Sequence, residues 1–131
     1  MQNILKKYPS IKVVLDVHRD AIEQSDGTRV APVTTINGKS CAQVMIINGC
    51  DDGDMNYPDY LKNLSFSSAL LRQMEKDYPS LARPMLFTYK LYNQNLTTGS
   101  ILLEMGGHAN SLEEAQYAGE LVGKSLAKLL V

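Results

Sequence analysis

The sequence has little cysteine, almost no net charge and no long apolar run, and each shortage removes a class of function. Cys41 and Cys50 are its only thiols. Without a CxxC pair or further Cys/His spacing they make neither a zinc ribbon nor a redox motif. Free buried thiols are expected, with a disulfide open to them in an oxidising compartment. Thirteen Lys and Arg against fourteen Asp and Glu leave a net charge of −1, so no broad field draws nucleic acid or an anionic membrane to the surface. No apolar stretch reaches the length of a membrane span, and Met1 to Pro9 lacks the basic-then-apolar layout of a secretory signal. The chain as it stands is expected to be soluble. Internal repeats and low-complexity segments are missing too.

What is there is an ordinary globular composition, 44% hydrophobic and 21% charged over 131 residues, enough for one core and short for two. A single domain, 1–131, is expected. Ile4, Leu5 and Tyr8 have helical spacing and run straight into Pro9, like the final turns of a crossover helix whose upstream partner has been removed. Ile11 to Val17 is apolar on both faces apart from Lys12 and Asp16, which predicts a central parallel strand. After a polar loop at 21–29, the segments Val33 to Ile36 and Ser40 to Asn48 flank Asn37-Gly38, a strong two-residue hairpin signal. The run Ala42 to Ile47 in the second arm predicts a core strand.

Tyr60 to Asp77 carries Leu61, Leu64, Leu71 and Met74 at helical spacing, with Leu70 beside them and a stop at Tyr78-Pro79-Ser80. Met85 to Leu91 alternates as a strand does, Asn93 to Gly99 is a turn, and Ser100 to Met105 is a second core strand. Ser111-Leu112-Glu113-Glu114 reads as a capping box opening a last helix whose stripe is Leu112, Ala115, Gly119, Val122, Leu126 and Leu129. The pattern predicts an α/β fold with a mixed, mostly parallel twisted sheet flanked by helices.

Two strands end in groups that carry chemistry. Val13 to Asp20 delivers one imidazole, His18, to its carboxyl end, where sites in open α/β sheets gather. His18 reads as a metal ligand, as a general base, or as a strand-end histidine bonded to Asp16 or Asp20. Glu104 lies within Ile101 to Gly106, where burial is expected. A buried carboxylate is costly unless paired or neutralised. Either desolvation raises its pKa for general-base work, or it pairs with Arg19 or Arg83. Asp51, Asp52, Asp54 and Asn56 have part of a calcium-loop spacing, but Tyr57 stands where the loop needs glycine and Asn63 where it needs glutamate. A solvated acidic loop is expected there, and a surface role for His108. Tyr89, Tyr92, Asn93 and Gln94 are commonplace at a strand end and a turn.

Taken in order, Leu15-Asp16-Val17-His18-Arg19-Asp20, Asn37-Gly38-Lys39, Ala42-Gln43-Val44-Met45, Asn63-Leu64-Ser65, Tyr78-Pro79-Ser80-Leu81-Ala82-Arg83-Pro84, Tyr92-Asn93-Gln94-Asn95-Leu96, Gly99-Ser100-Ile101-Leu102-Leu103-Glu104 and Asn110-Ser111-Leu112-Glu113-Glu114-Ala115 resemble the carboxyl-terminal half of the stage II sporulation protein P family. Its members are zinc-dependent N-acetylmuramoyl-L-alanine amidases of peptidoglycan. The resemblance implies an amidase-like fold, Zn2+ as cofactor with His18 as a ligand, Glu104 as the catalytic carboxylate, and Arg19, Asn93 and Gln94 as substrate contacts. It implies that another His and a Glu ligand lie upstream of Met1. The chain is then the carboxyl-terminal portion of a catalytic domain, truncated on its amino-terminal side and inactive alone. It further implies a membrane-anchored, extracytoplasmic full-length protein working during engulfment beside stage II sporulation protein D, with peptidoglycan as substrate. A truncated sheet edge would favour self-association. The rival expectation is a non-catalytic wall-binding or assembly module on the same fold.

Overall fold

In the computed structural model, which describes residues 1–131, the apolar runs and amphipathic stretches become six strands and three α-helices. In chain order these are α1 (Gln2–Lys7), β1 (Val13–Asp20), β2 (Val33–Ile36), β3 (Lys39–Ala42), β4 (Val44–Gly49), α2 (Tyr60–Asp77), β5 (Leu86–Thr88), a 3-10 turn at Gln94–Leu96, β6 (Gly99–Gly107) and α3 (Leu112–Leu130). Four strands form one sheet in the order β1-β6-β4-β5, and β2 with β3 form a separate hairpin. The β1/β6 and β4/β5 pairs are parallel and β4/β6 is antiparallel. The fold is therefore α/β with a mixed sheet.

Local chemistry explains the joints. Asn37 and Gly38 both take positive φ, 51° and 76°, as the tight turn between β2 and β3 requires. Ser111 accepts from Glu114 N while the Glu114 side chain accepts from Ser111 N, the reciprocal cap that starts α3. At the end of β6, Gly106 has φ 72°, and a Cβ there would lie 2.6 Å from Asn110 Oδ1 and 2.7 Å from Ala42 Cβ. Only glycine fits that close approach.

One face of the sheet makes the core. Val44 and Ile46 on β4 sit opposite Met105 and Leu103 on β6, and this row packs with Leu70 and Met74 of α2, Ala118, Leu121 and Val122 of α3, and Ile36 and Cys41 of the hairpin. Both cysteines are free and buried. The other face carries Asp16, His18, Met45, Ile47, Leu102 and Glu104, as register and alternation dictate.

Several expectations need correction. β1 is an edge strand rather than a central one; its residues are half-buried or exposed, Val17 at 59%. Its span, Val13–Asp20, is the run that the sequence marked, and it places His18 within the ladder. The second hairpin arm is two strands: the Gln43 N–H makes a last bond in the hairpin register, to Pro32 O, proline has no N–H to return it, and the chain passes there from hairpin to main sheet. β5 has three residues, leaving Tyr89 outside it. The buried stripe of α2 is Asn63, Ser67, Leu70 and Met74, with Leu61 exposed, because Asn63 and Ser67 are needed as hydrogen-bonding groups. In α3 the buried residues are Ala118, Leu121, Val122 and Ser125, and Leu112 is exposed.

Candidate active site

The row across the sheet near the carboxyl end of β6 is Met45 on β4, Glu104 on β6 and His18 on β1. Register partners on adjacent strands point the same way. His18 and Glu104, 86 positions apart in sequence, are thereby side by side on the face away from the helices. The β1 register slips between His18 and Asp20, so the strand bends just beyond the imidazole.

The His18 ring is half-exposed and its Nε2 lies 2.8 Å from Asp16 Oδ1. A carboxylate only accepts, so Nε2 carries the hydrogen, and in the neutral ring the lone pair is then on Nδ1. That is the arrangement by which a carboxylate orients a metal-ligating histidine. Glu104 is 9% exposed, and its Oε2 is buried without a hydrogen-bond partner. Its pKa is raised above the ordinary glutamate value, first by loss of solvent and then by the Asp20 and Asp16 charges, while His18 and Arg83 pull the other way. Loss of solvent and the neighbouring carboxylates therefore favour its protonated form more than in an exposed glutamate.

Arg83 comes from the segment after α2, which is tied to β4 by Arg83 N–H to Val44 O at 2.7 Å. Its Nη2 donates to Asp20 Oδ2 at 2.7 Å and lies 3.3 Å from Met45 Sδ. Its Nε is buried and unpartnered. Arg83 therefore pairs with Asp20 and not with Glu104, although it is close enough to be felt there. The sequence offered Arg83 as a partner for Glu104; its pairing to Asp20 instead is the part of the cluster that was not expected. The Arg83-Pro84 motif was the available signal.

The other residues singled out lie elsewhere. Arg19 Nη2 donates to the carbonyls of Gly107 and Asn110, latching the turn from β6 into α3. Asn93 has φ 59° and precedes the 3-10 turn. Gln94 is buried, with Nε2 donating to Ile47 O and Oε1 accepting from Gly49 N. Ile47 pairs with Leu102, two residues or about 7 Å along β6 from Glu104, and Asn63 Nδ2 joins Gln94 O to Ser100 O, so Gln94 and its neighbour Asn93 lie toward the Gly99 end of the strand. The structure does not bring them to the His18 and Glu104 row. His108 Nε2 lies 3.3 Å from Glu23 Oε1, within reach of its charge but not aligned for a hydrogen bond. Asp51 accepts from the N–H groups of Gly53, Met55 and Tyr57, so its oxygens brace the acidic loop itself.

No three His, Cys, Asp or Glu side chains converge in a metal-holding group. The donor chemistry fits one arm of a zinc site, an imidazole oriented by Asp16, and not a closed set of ligands.

A family model described as Stage II sporulation protein P matches residues 1–127. Among curated proteins, Stage II sporulation protein P of Bacillus subtilis (strain 168) is 32% identical over 123 residues, covering 90% of this chain and 28% of that protein. The chain therefore spans little more than a quarter of that relative's length. No solved structure matches.

Proposed function

Since the chain belongs to the stage II sporulation protein P family, whose name ties it to sporulation, we propose that it forms part of a peptidoglycan hydrolase that cuts the amide between N-acetylmuramic acid and the L-alanine of the stem peptide. The observation that carries this reading is the pairing of His18 with Glu104 in one row, with Glu104 Oε2 buried and unpartnered. In this reading His18 Nδ1 is a zinc ligand, and the remaining ligands come from residues outside 1–131. When bound, zinc supplies an activated water and polarises the scissile carbonyl.

The chain's own residues then have defined work. Asp16 fixes the imidazole tautomer and its orientation. Glu104 accepts a proton at Oε2 and returns it to the leaving amine, a task suited to a carboxylate whose pKa stands above its ordinary value. Arg83, held by Asp20, keeps positive charge beside that carboxylate so that its deprotonated form persists. In the longer protein we place the activity outside the cytoplasm on a membrane anchor, beside stage II sporulation protein D; within residues 1–131 no helix is long and apolar enough to cross a membrane.

The lack of a three-ligand group within these residues favours one rival, a wall-binding or assembly module without chemistry. A longer polypeptide containing this chain, carrying Glu104→Gln, separates the two. The hydrolase reading expects new alanine amino termini to stop appearing in treated sacculi, while sacculus binding persists. Release at the unchanged rate would sink the proton-transfer assignment. In the same polypeptide, His18→Ala should lower the zinc content measured by elemental analysis, a readout independent of turnover.

A further inference from the structure

Beyond His18 the two parallel strands fall out of step. From His18 to Asp20 β1 advances two positions while β6 advances three, from Glu104 to Gly107, so the extra residue lies on β6, where Gly106 takes a φ of 72°. A bulge of this kind breaks the ladder locally and leaves backbone groups in need of other partners. It also decides where Asp20 stands, opposite Gly107 and not one position earlier.

Arg19 lies across from the bulge. By alternation along β1 it points to the face opposite His18, and it shares a groove there with Leu15, Val17, Ala115 and Gly119 beside α3. Its Nη2 donates to Gly107 O at 2.9 Å and to Asn110 O, spanning the turn that leads from the bulge into the Ser111 cap. Backbone bonds complete the clamp, Asn110 N–H to Gly107 O at 3.0 Å and His108 N–H to Asp20 O at 2.7 Å. On the other face Asp20 Oδ2 accepts from Arg83 Nη2 at 2.7 Å, and the charge of Arg83 is felt at Glu104. A guanidinium engaged with two main-chain carbonyls on the helix side is turned away from any ligand of the His18 and Glu104 row.

We propose that Arg19 is a positioning residue and not a substrate contact: by clamping the turn after the β6 bulge it fixes Asp20, and through Asp20 the Arg83 guanidinium beside Glu104. The use of that position in turnover rests on the hydrolase reading above; the clamp itself does not.

The first measurement is hydrogen exchange at the Arg83 Nε–H of the 131-residue chain, a buried group without a partner, assigned by its loss in Arg83→Lys. Exchange there should quicken at least about tenfold in Arg19→Met, while the core amides of Leu103 and Leu121 keep their protection. An unchanged Arg83 rate, or a quickening shared by those core amides, would overturn the proposal. If Arg19→Met fails to fold, Arg19→Lys decides. Its side chain is one bond shorter and cannot span both carbonyls, so an unchanged Arg83 rate there overturns the proposal as well.

The second measurement is turnover of soluble glycan-peptide fragments by a longer polypeptide containing this chain. Arg19→Met should lower kcat about tenfold or more with KM unchanged, and adding it to Arg83→Met should cost nothing further, since both changes release the same group. A raised KM with kcat kept is the mark of a substrate contact and overturns the proposal, as do losses that simply add. If the parent polypeptide cleaves nothing, the hydrolase reading fails by itself, and exchange at Arg83 still decides the clamp.

Discussion

Glu104 is where a single residue's surroundings set measurable behaviour. Its pKa in the folded chain is raised above the ordinary 4.5, so the folded state favours the protonated form. The stability this lends is present below the ordinary value and is lost as pH rises through the folded value. Glu104→Gln should therefore stabilise the chain more at neutral pH than near pH 4, which denaturant melts at the two pH values would show; equal effects would refute the burial argument. Gln94 should behave oppositely. Its amide serves Ile47 O and Gly49 N, and a Cβ on Gly49 would lie 2.8 Å from Gln94 Oε1 and 2.0 Å from Lys90 O. Gln94→Ala would leave two buried backbone groups unpaired and cost at least about 2 kcal/mol, read in the same melts. An apolar run interrupted by one acid marked Glu104 in the sequence. The ties of Gln94 had no such signal, since they join residues 45 and 47 positions apart.

Among the elements, the two long helices show where local signals suffice and where they do not. The capping box of α3 was legible as Ser111 to Glu114, and Ser111→Ala should cost about 1 kcal/mol, visible as a lower melting temperature. The packing of α2 on α3 was less legible. Asp77 near the end of α2 accepts from Lys128 Nζ at 2.8 Å, Gln73 Nε2 at 3.0 Å and Ser125 Oγ at 2.9 Å. Those bonds, led by Lys128, hold its pKa down to about 2. The stabilisation is fully present above the ordinary 3.8 and fades as pH falls towards 2. Amide exchange along α3 should accelerate in that window, and Asp77→Asn should remove the dependence. Both helices displaced their expected stripes because polar residues took inward positions: Asn63 and Ser67 in α2, Ser125 in α3. Hydrophobic periodicity cannot anticipate a buried polar residue whose partner is on another element, as Asn48 is for Ser67.

For the molecule as a whole, β1 lies at the sheet's edge with Val17 exposed, beside an apolar groove lined by Leu15, Leu103, Met105 and Gly119. An unpaired edge of this kind invites another strand. We expect sedimentation of the isolated chain to show self-association, and Val17→Lys to abolish it; a monomer at all concentrations would rule it out. The sequence by itself determined the α/β class, the hairpin at Asn37-Gly38, the start of α3 and the candidacy of His18 and Glu104, because each depends on residues close together in the chain. Only the tertiary structure decided that β6 and β4 are central while β1 is the edge, that Arg83 pairs with Asp20, and that Asn93 and Gln94 sit far from the His18 row. Those outcomes turn on which strands become neighbours and in what register, and that choice is made by burial of one shared face across most of the chain, not by any local pattern.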